Sequence, residues 1–361
     1  MKKTTSFICS LAVVLALNAT VRTVSNSPAT LAQFNTIQSA VNASAVSGDT
    51  ILVHGSPSQY AGFTISNKQL TIIGPGWSPD KSLAFTALVL GSNITGATSS
   101  NSEIQGLTFV GGLAINSAHP DNMRIIRNNF AGTSISMNQG GTTYTGYLFE
   151  GNLFDNGGAD ATASSTYQNF IFQNNYFYES GCCRDGNLAG GWFNCVNVLF
   201  NHNLWFGPGS STRNITDGNS NRFMTFTNNI FVRRNFNGRV SSSTFNNNIT
   251  FNAGVNNPWA TASNVDGGGN IENQDPQMVA QAGVNAGTND ATADYSILAG
   301  PANNTGTDGK DIGLLYDAVG SLNWVNSRNS RLPRIFNMNI TNPTISSGGT
   351  LQVVVNARKS N

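Results

Sequence analysis

Charge is scarce in this chain of 361 residues, of which only 10% are Asp, Glu, Lys or Arg, and no basic stretch occurs in it. A nucleic-acid partner, which needs clustered cations against its phosphates, is therefore not expected. Long apolar runs are missing too. The best, residues 7–17, is too short to span a bilayer, so no transmembrane segment is expected. Cysteine stands at only four positions, and no His lies in the local loop that carries Cys182, Cys183 and Cys195, which leaves no zinc-type pattern. Helical periodicity is absent over most of the chain, which speaks against an all-α fold.

What the chain does have is one short phrase that keeps returning between 126 and 251. It reads Ile-Arg-Asn-Asn-Phe (126–130), Phe-Glu-Gly-Asn-Leu-Phe (149–154), Phe-Gln-Asn-Asn-Tyr-Phe (172–177), Phe-Asn-His-Asn-Leu-Trp (200–205), Phe-Thr-Asn-Asn-Ile-Phe (226–231) and Phe-Asn-Asn-Asn-Ile-Thr (245–250). The second Asn falls at 129, 152, 175, 203, 229 and 248, in steps of 23, 23, 28, 26 and 19 residues. One strand–turn–strand phrase per period predicts an all-β solenoid of stacked coils. Asn and Gly tolerate the left-handed backbone of a tight turn, and stacked carboxamides can bond to one another up the column. Three residues earlier, Ile126, Phe149, Phe172, Phe200, Phe226 and Phe245 are expected inside the tube, and the polar residues between face out. An Asn-rich sandwich of hairpins is the alternative, but it needs no single residue type at one phase of a long period.

These phrases resemble the asparagine ladders of right-handed parallel β-helix proteins in the pectate-lyase-like superfamily. The resemblance implies a single-stranded right-handed parallel β-helix and brings no catalytic signature with it. In such a fold an amphipathic helix at the start acts as a plug. Residues 34–53 fit that role, with Asn35 as expected N-cap, Gln38 completing a capping box, and Ile37, Ala40, Val41 and Ser44 on one face. The expected organisation is a signal peptide over 1–19, a β-helix domain over 20–318 including the cap helix, and a tail over 319–361. In the tail, alternating residues around Ser346–Gly349 predict a β-hairpin. Cleavage at Ala19 removes Lys2 and Lys3, leaving 17 basic against 18 acidic residues in a secreted or cell-surface protein, bacterial by its signal.

In an exported chain, Cys195 has a disulfide partner in Cys182 or Cys183, or those two bridge to each other. His202 reads as a turn residue. Counted from the ladder, Asp160 lies at +8, Arg184 at +9, Asp185, Arg213 and Arg239 at +10, and Glu179 and Arg233 at +4; Asp217 and Arg222 share Arg213's coil. Residues 181–187 lengthen one coil beside them, as binding-site insertions do. Polysaccharide lyases of this fold use a basic residue, for which Arg213 or Arg239 is the candidate. Hydrolases use paired carboxylates, for which Asp185 and Asp217 are the candidates. Arg184, Asp160, Glu179, Arg222 and Arg233 are candidates for substrate binding. No cofactor is expected; the Asp residues near 308–311 suit either calcium or the capping of backbone amides. The favoured expectation is a non-catalytic protein that contacts a polysaccharide or cell-surface glycan, or adheres. The alternative is a lyase or hydrolase acting on a uronate-containing polysaccharide. Finally, the apolar +1 column (Phe130, Leu153, Tyr176, Leu204, Ile230, Ile249) must face outward if the ladder points in. It is then either an interaction strip or is covered by loops or the tail.

Overall fold

A computed structural model describes residues 19–359, apart from 45–47, 78–84, 117, 138, 179–187, 191, 210–212, 216–220, 238, 289, 317–323, 325–332 and 341–347. Three sheets of stacked parallel strands wrap one tube. The first face runs from Val21–Val24 through Asp49–Val53, Arg124–Ile126, Thr166–Gln173 and Asn194–Asn201 to Val265–Asp266. Among the described residues, the second face holds eight strands, from Leu88–Val89 to Ile249–Phe251, and the third holds six, from Thr64–Ser66 to Leu188–Gly190. The parallel β-helix expected from the repeat is thus the fold. The tube begins ahead of the cap helix, because Val21–Val24 already pairs in parallel with Asp49–Val53.

Seven asparagines form the ladder: Asn128, Asn152, Asn175, Asn203, Asn229, Asn248 and Asn270. Six of them have no measurable exposure, and Asn270 is partly covered. Each Oδ1 from Asn152 onward accepts the backbone N–H of the ladder Asn one coil earlier, at 2.9–3.0 Å. Each Nδ2 donates to the carbonyl of an inward residue of the preceding coil, such as Phe149 O for Asn175 and Phe172 O for Asn203. The left-handed residue is the one before the ladder: Arg127, Gly151, Asn174, His202, Asn228, Asn247 and Gly269 all have φ between 49° and 67°. The pair thus divides its work. The first residue turns the chain and the second bonds.

Two expectations need correction. In the first phrase the ladder residue is Asn128, not Asn129, and the inward residue is Ile125, not Ile126. Asn129 aligns with Leu153 in the +1 column, so Phe130 belongs one position on, stacked on Phe154 at 5.1 Å. The adjacent pair Asn128–Asn129 hid the frame, because either could be the ladder residue. The second correction is at the cap helix Ile37–Ala43, whose N-cap is Thr36, with Oγ1 accepting the Ser39 N–H at 3.1 Å. Gln38 does something else: its Oε1 accepts the Thr64 N–H at 2.6 Å and its Nε2 reaches Thr64 O at 3.3 Å. It thereby stands in for a neighbouring strand at the open edge of the third face. Ile37, Ala40, Val41 and Ser44 are buried as expected, and Lys68 Nζ closes the helix end on Val41 O and Ser44 O.

Inside, two aromatic stacks climb the tube. One is Phe149, Phe172, Phe200, Phe226 and Phe245, with centroids 4.4–4.9 Å apart. The other is Phe109, Phe130, Phe154, Phe177, Trp205 and Phe231. Each offset-stacked pair contributes about 0.5–1.5 kcal/mol beyond its buried area. Trp259, nearly buried beside Phe245, covers the far end of the core.

The chain beyond the last coil returns along the second face. Residues 278–316, with the short helix Gln281–Ala286, and then Trp324, lie over Leu153, Tyr176, Leu204, Ile230 and Ile249. The outward apolar column is therefore a second core, covered by this strap of chain. The column is apolar where the strap lies and polar before it, at Thr108 and Asn129. The tail hairpin exists, pairing Pro333–Ile340 with Val353–Lys359 in antiparallel register.

Candidate functional site

The expected charged groove rests on equal offsets from the ladder, and the register does not keep them. Arg213 aligns with Arg234, not with Arg239. Arg239 lies further round, where its carbonyl accepts the Asn221 N–H at 3.0 Å. The coil after Asn229 is only 19 residues long, so it reaches the next corner sooner and shifts every later offset. Asp160 sits on the third face between Ser136 and Ala189, with Ser136 Oγ 3.4 Å from its Oδ2. Glu179, Cys182, Cys183, Arg184, Asp185 and Asp217 lie outside the described residues, as does the side chain of Arg213. Cys195 is a buried free thiol, its Sγ 3.5 Å from Trp192 O, with its pKa pushed up to about 12 by burial.

Three cations near the ladder turn out to be structural. Arg233, a candidate for substrate binding, is buried and donates from Nη1 to Val284 O and from Nη2 to Asn285 O, both at 2.7 Å. It holds the end of the strap helix, and burial lowers its pKa. Arg234, which the sequence reading did not single out, is fully buried and spends Nη2 on Phe177 O and Phe206 O. Arg127 fills the left-handed slot of its coil over Gly151, where a Cβ would stand 3.2 Å from its Cγ. Burial lowers its pKa, and the Glu150 charge pulls the other way.

His202 is a turn residue, as the sequence suggests. Its Nδ1 lies 3.3 Å from Gly313 O and its Nε2 3.2 Å from Asp308 Oδ2, so it fastens the strap. Burial lowers its pKa more than Asp308 raises it. The acidic side chains of the closing segment cap backbone amides: Asp308 Oδ1 takes the Lys310 N–H and Asp311 Oδ1 takes the Asn304 N–H. Among the described residues, no three His, Cys, Asp or Glu side chains gather as a metal site.

The outward side of the first face is open to solvent in its middle coils. Its middle coils carry Thr143, Thr166 and Asn194 in one row, then Thr145, Gln168 and Val196, then Leu148, Ile171 and Leu199. These side chains are half-buried or exposed. Strand alternation sends Tyr144, Tyr167 and Cys195 inward between the rows. At the edge stands Arg222, exposed, its guanidinium carbon 5.8 Å from the Phe193 ring centroid. The described carboxylates nearby are engaged: Glu103 with Arg124 at 3.1 Å and Glu150 with Gln173 at 2.8 Å. Hydroxyls, amides and aliphatic side chains at strand spacing can meet a flat, uncharged, hydroxyl-rich ligand.

Compared with known proteins, the chain matches no family model and no curated protein. Among the described residues, no helix is long and apolar enough to cross a membrane.

Proposed function

We propose that this is an exported protein of the right-handed, pectate-lyase-like kind that contacts a polysaccharide or cell-surface glycan without catalysis. One observation carries the reading: the neutral rows of the first face, Thr143–Thr166–Asn194, Thr145–Gln168–Val196 and Leu148–Ile171–Leu199. Their hydroxyls and amides both donate and accept, as sugar hydroxyls do, and their aliphatic groups suit the C–H faces of a pyranose. Export is supported by the basic start and apolar run of residues 1–19, followed at once by the first strand of the tube. A lyase or hydrolase acting on uronates is the competing reading. Incubating the mature protein with neutral and uronate-containing polysaccharides decides between them. Retention on a polysaccharide without release of unsaturated products or new reducing ends is the expected result. Steady product release would replace this reading with the enzymatic one.

A further inference from the structure

A second column of left-handed residues runs up the corner where the chain enters the first face: Asn101, Asn122, Gly146, Asn169, Asn197, Phe223 and Ser242. Each precedes an inward residue of the stack, with Phe170, Val198 and Met224 in register. Six of the seven are Asn, Gly or Ser, residues that are small or tolerate this backbone. Phe223, at φ 62°, is the exception. A bulky aromatic in this conformation costs free energy, and here burial does not offset the cost, because Phe223 is 53% exposed.

The same place has a step in the tube wall. Trp192 O accepts the Arg222 N–H, while Val198 is aligned with Met224. In a parallel pair the N–H reaches the carbonyl before its register partner, so Arg222 faces Phe193, and five residue steps on one coil, from 193 to 198, face two on the next, from 222 to 224. Asn194 to Asn197 thus face Phe223 alone and form a shelf about 13 Å long at strand rise. Asn194, Val196 and Asn197 on it are exposed, as are Asn169 and Ile171 on the coil before. Asn197 Nδ2 donates to Asn169 Oδ1 at 3.0 Å, which fixes two amides in one orientation. An exposed ring held at a strained position, a pair of oriented amides, and the aliphatic Val196 and Ile171 meet at one step.

We infer that this step is a binding subsite for a neutral glycan, in which a pyranose ring stacks on Phe223 and its hydroxyls bond to the Asn169–Asn197 amides. This rests on the glycan reading above and narrows it to uncharged sugars. Stacking buries the apolar C–H face of the ring, and oriented amides read the hydroxyl rim. Arg222 lies beside the step and would be the anchor for a uronate instead. Its place over Phe193 and the uncharged rows favour the neutral ligand.

Isothermal titration of the mature full chain with cellohexaose, mannohexaose, xylohexaose and a galacturonate hexamer tests this. At least one neutral hexamer should bind with an affinity insensitive to salt. Phe223→Asn should weaken it about tenfold or more, and yet melt at a higher temperature than the parent, because the column prefers Asn. Arg222→Gln should leave that affinity within about twofold. A purely structural Phe223 cannot give lost binding with gained stability. If only the galacturonate hexamer binds, in a salt-sensitive way lost in Arg222→Gln, this inference fails while glycan contact stands. If Phe223→Asn binds as the parent does, or melts lower, the inference also fails. If the protein retains no polysaccharide at all, both readings fall.

Discussion

At the scale of the residue, the ladder shows how one side chain type is fixed by several bonds at once. Asn203 Oδ1 accepts from both the backbone and the side chain of Asn175, while its Nδ2 donates to Phe172 O and Asn229 Oδ1. Asn270, at the end, is partly exposed and bonds Asp266 through the same amide that reaches Phe245 O. Each buried bond contributes about 1 kcal/mol net. Asn203→Ala should therefore cost roughly 2–4 kcal/mol of unfolding free energy and Asn270→Ala about half that or less. Urea titrations of the two variants check it; equal costs would count against the ladder as a stabilising device. The ladder was legible because a buried carboxamide at this turn has few substitutes. Its first rung was misplaced because Asn128 and Asn129 look alike in sequence. The aromatic two residues on, Phe130 beneath Phe154, marks the right frame.

At the scale of the element, the strap depends on His202. Burial holds the folded pKa of His202 below its usual value of 6.5. The unfolded chain therefore binds this proton more readily than the folded one, and stability is full above about 6.5 and falls as pH drops below it. Asp308, 3.2 Å away, tempers the loss by attracting the imidazolium, and Asp311 adds to this through its backbone. Amide exchange at Gly313 and Leu315, whose N–H groups bond Asn228 O and Asn174 Oδ1, should quicken in acid more than exchange in the first face does. His202→Asn, which suits the left-handed slot, should flatten that difference. An unchanged acid response in the variant would assign it elsewhere. The strap itself was only half legible. The outward apolar column told that something had to cover it, but the covering residues, such as Met278, Tyr295, Ile312 and Leu314, are spread over irregular chain without a period.

At the scale of the whole molecule, the tube and the strap form two cores that share one sheet, the second face. A chain ending at residue 277 keeps every strand of the three faces but uncovers Leu153, Tyr176, Leu204, Ile230 and Ile249 together. Such a truncation should bind an apolar dye strongly and self-associate, as measured by light scattering, whereas the full chain should do neither. Offsets from the ladder could not place the charged residues, because coil length varies between 19 and 28 residues and the register resets at each change. Those same changes of length build the step beside Phe223. The ladder also gives the tube a direction. Each carboxamide serves the turn before it, so the turn of any coil is complete only when the next coil has been laid down. A chain that emerges from its amino end therefore always carries one unfinished rung at its growing tip. The strap, which follows the last coil in the chain, then closes over the finished stack.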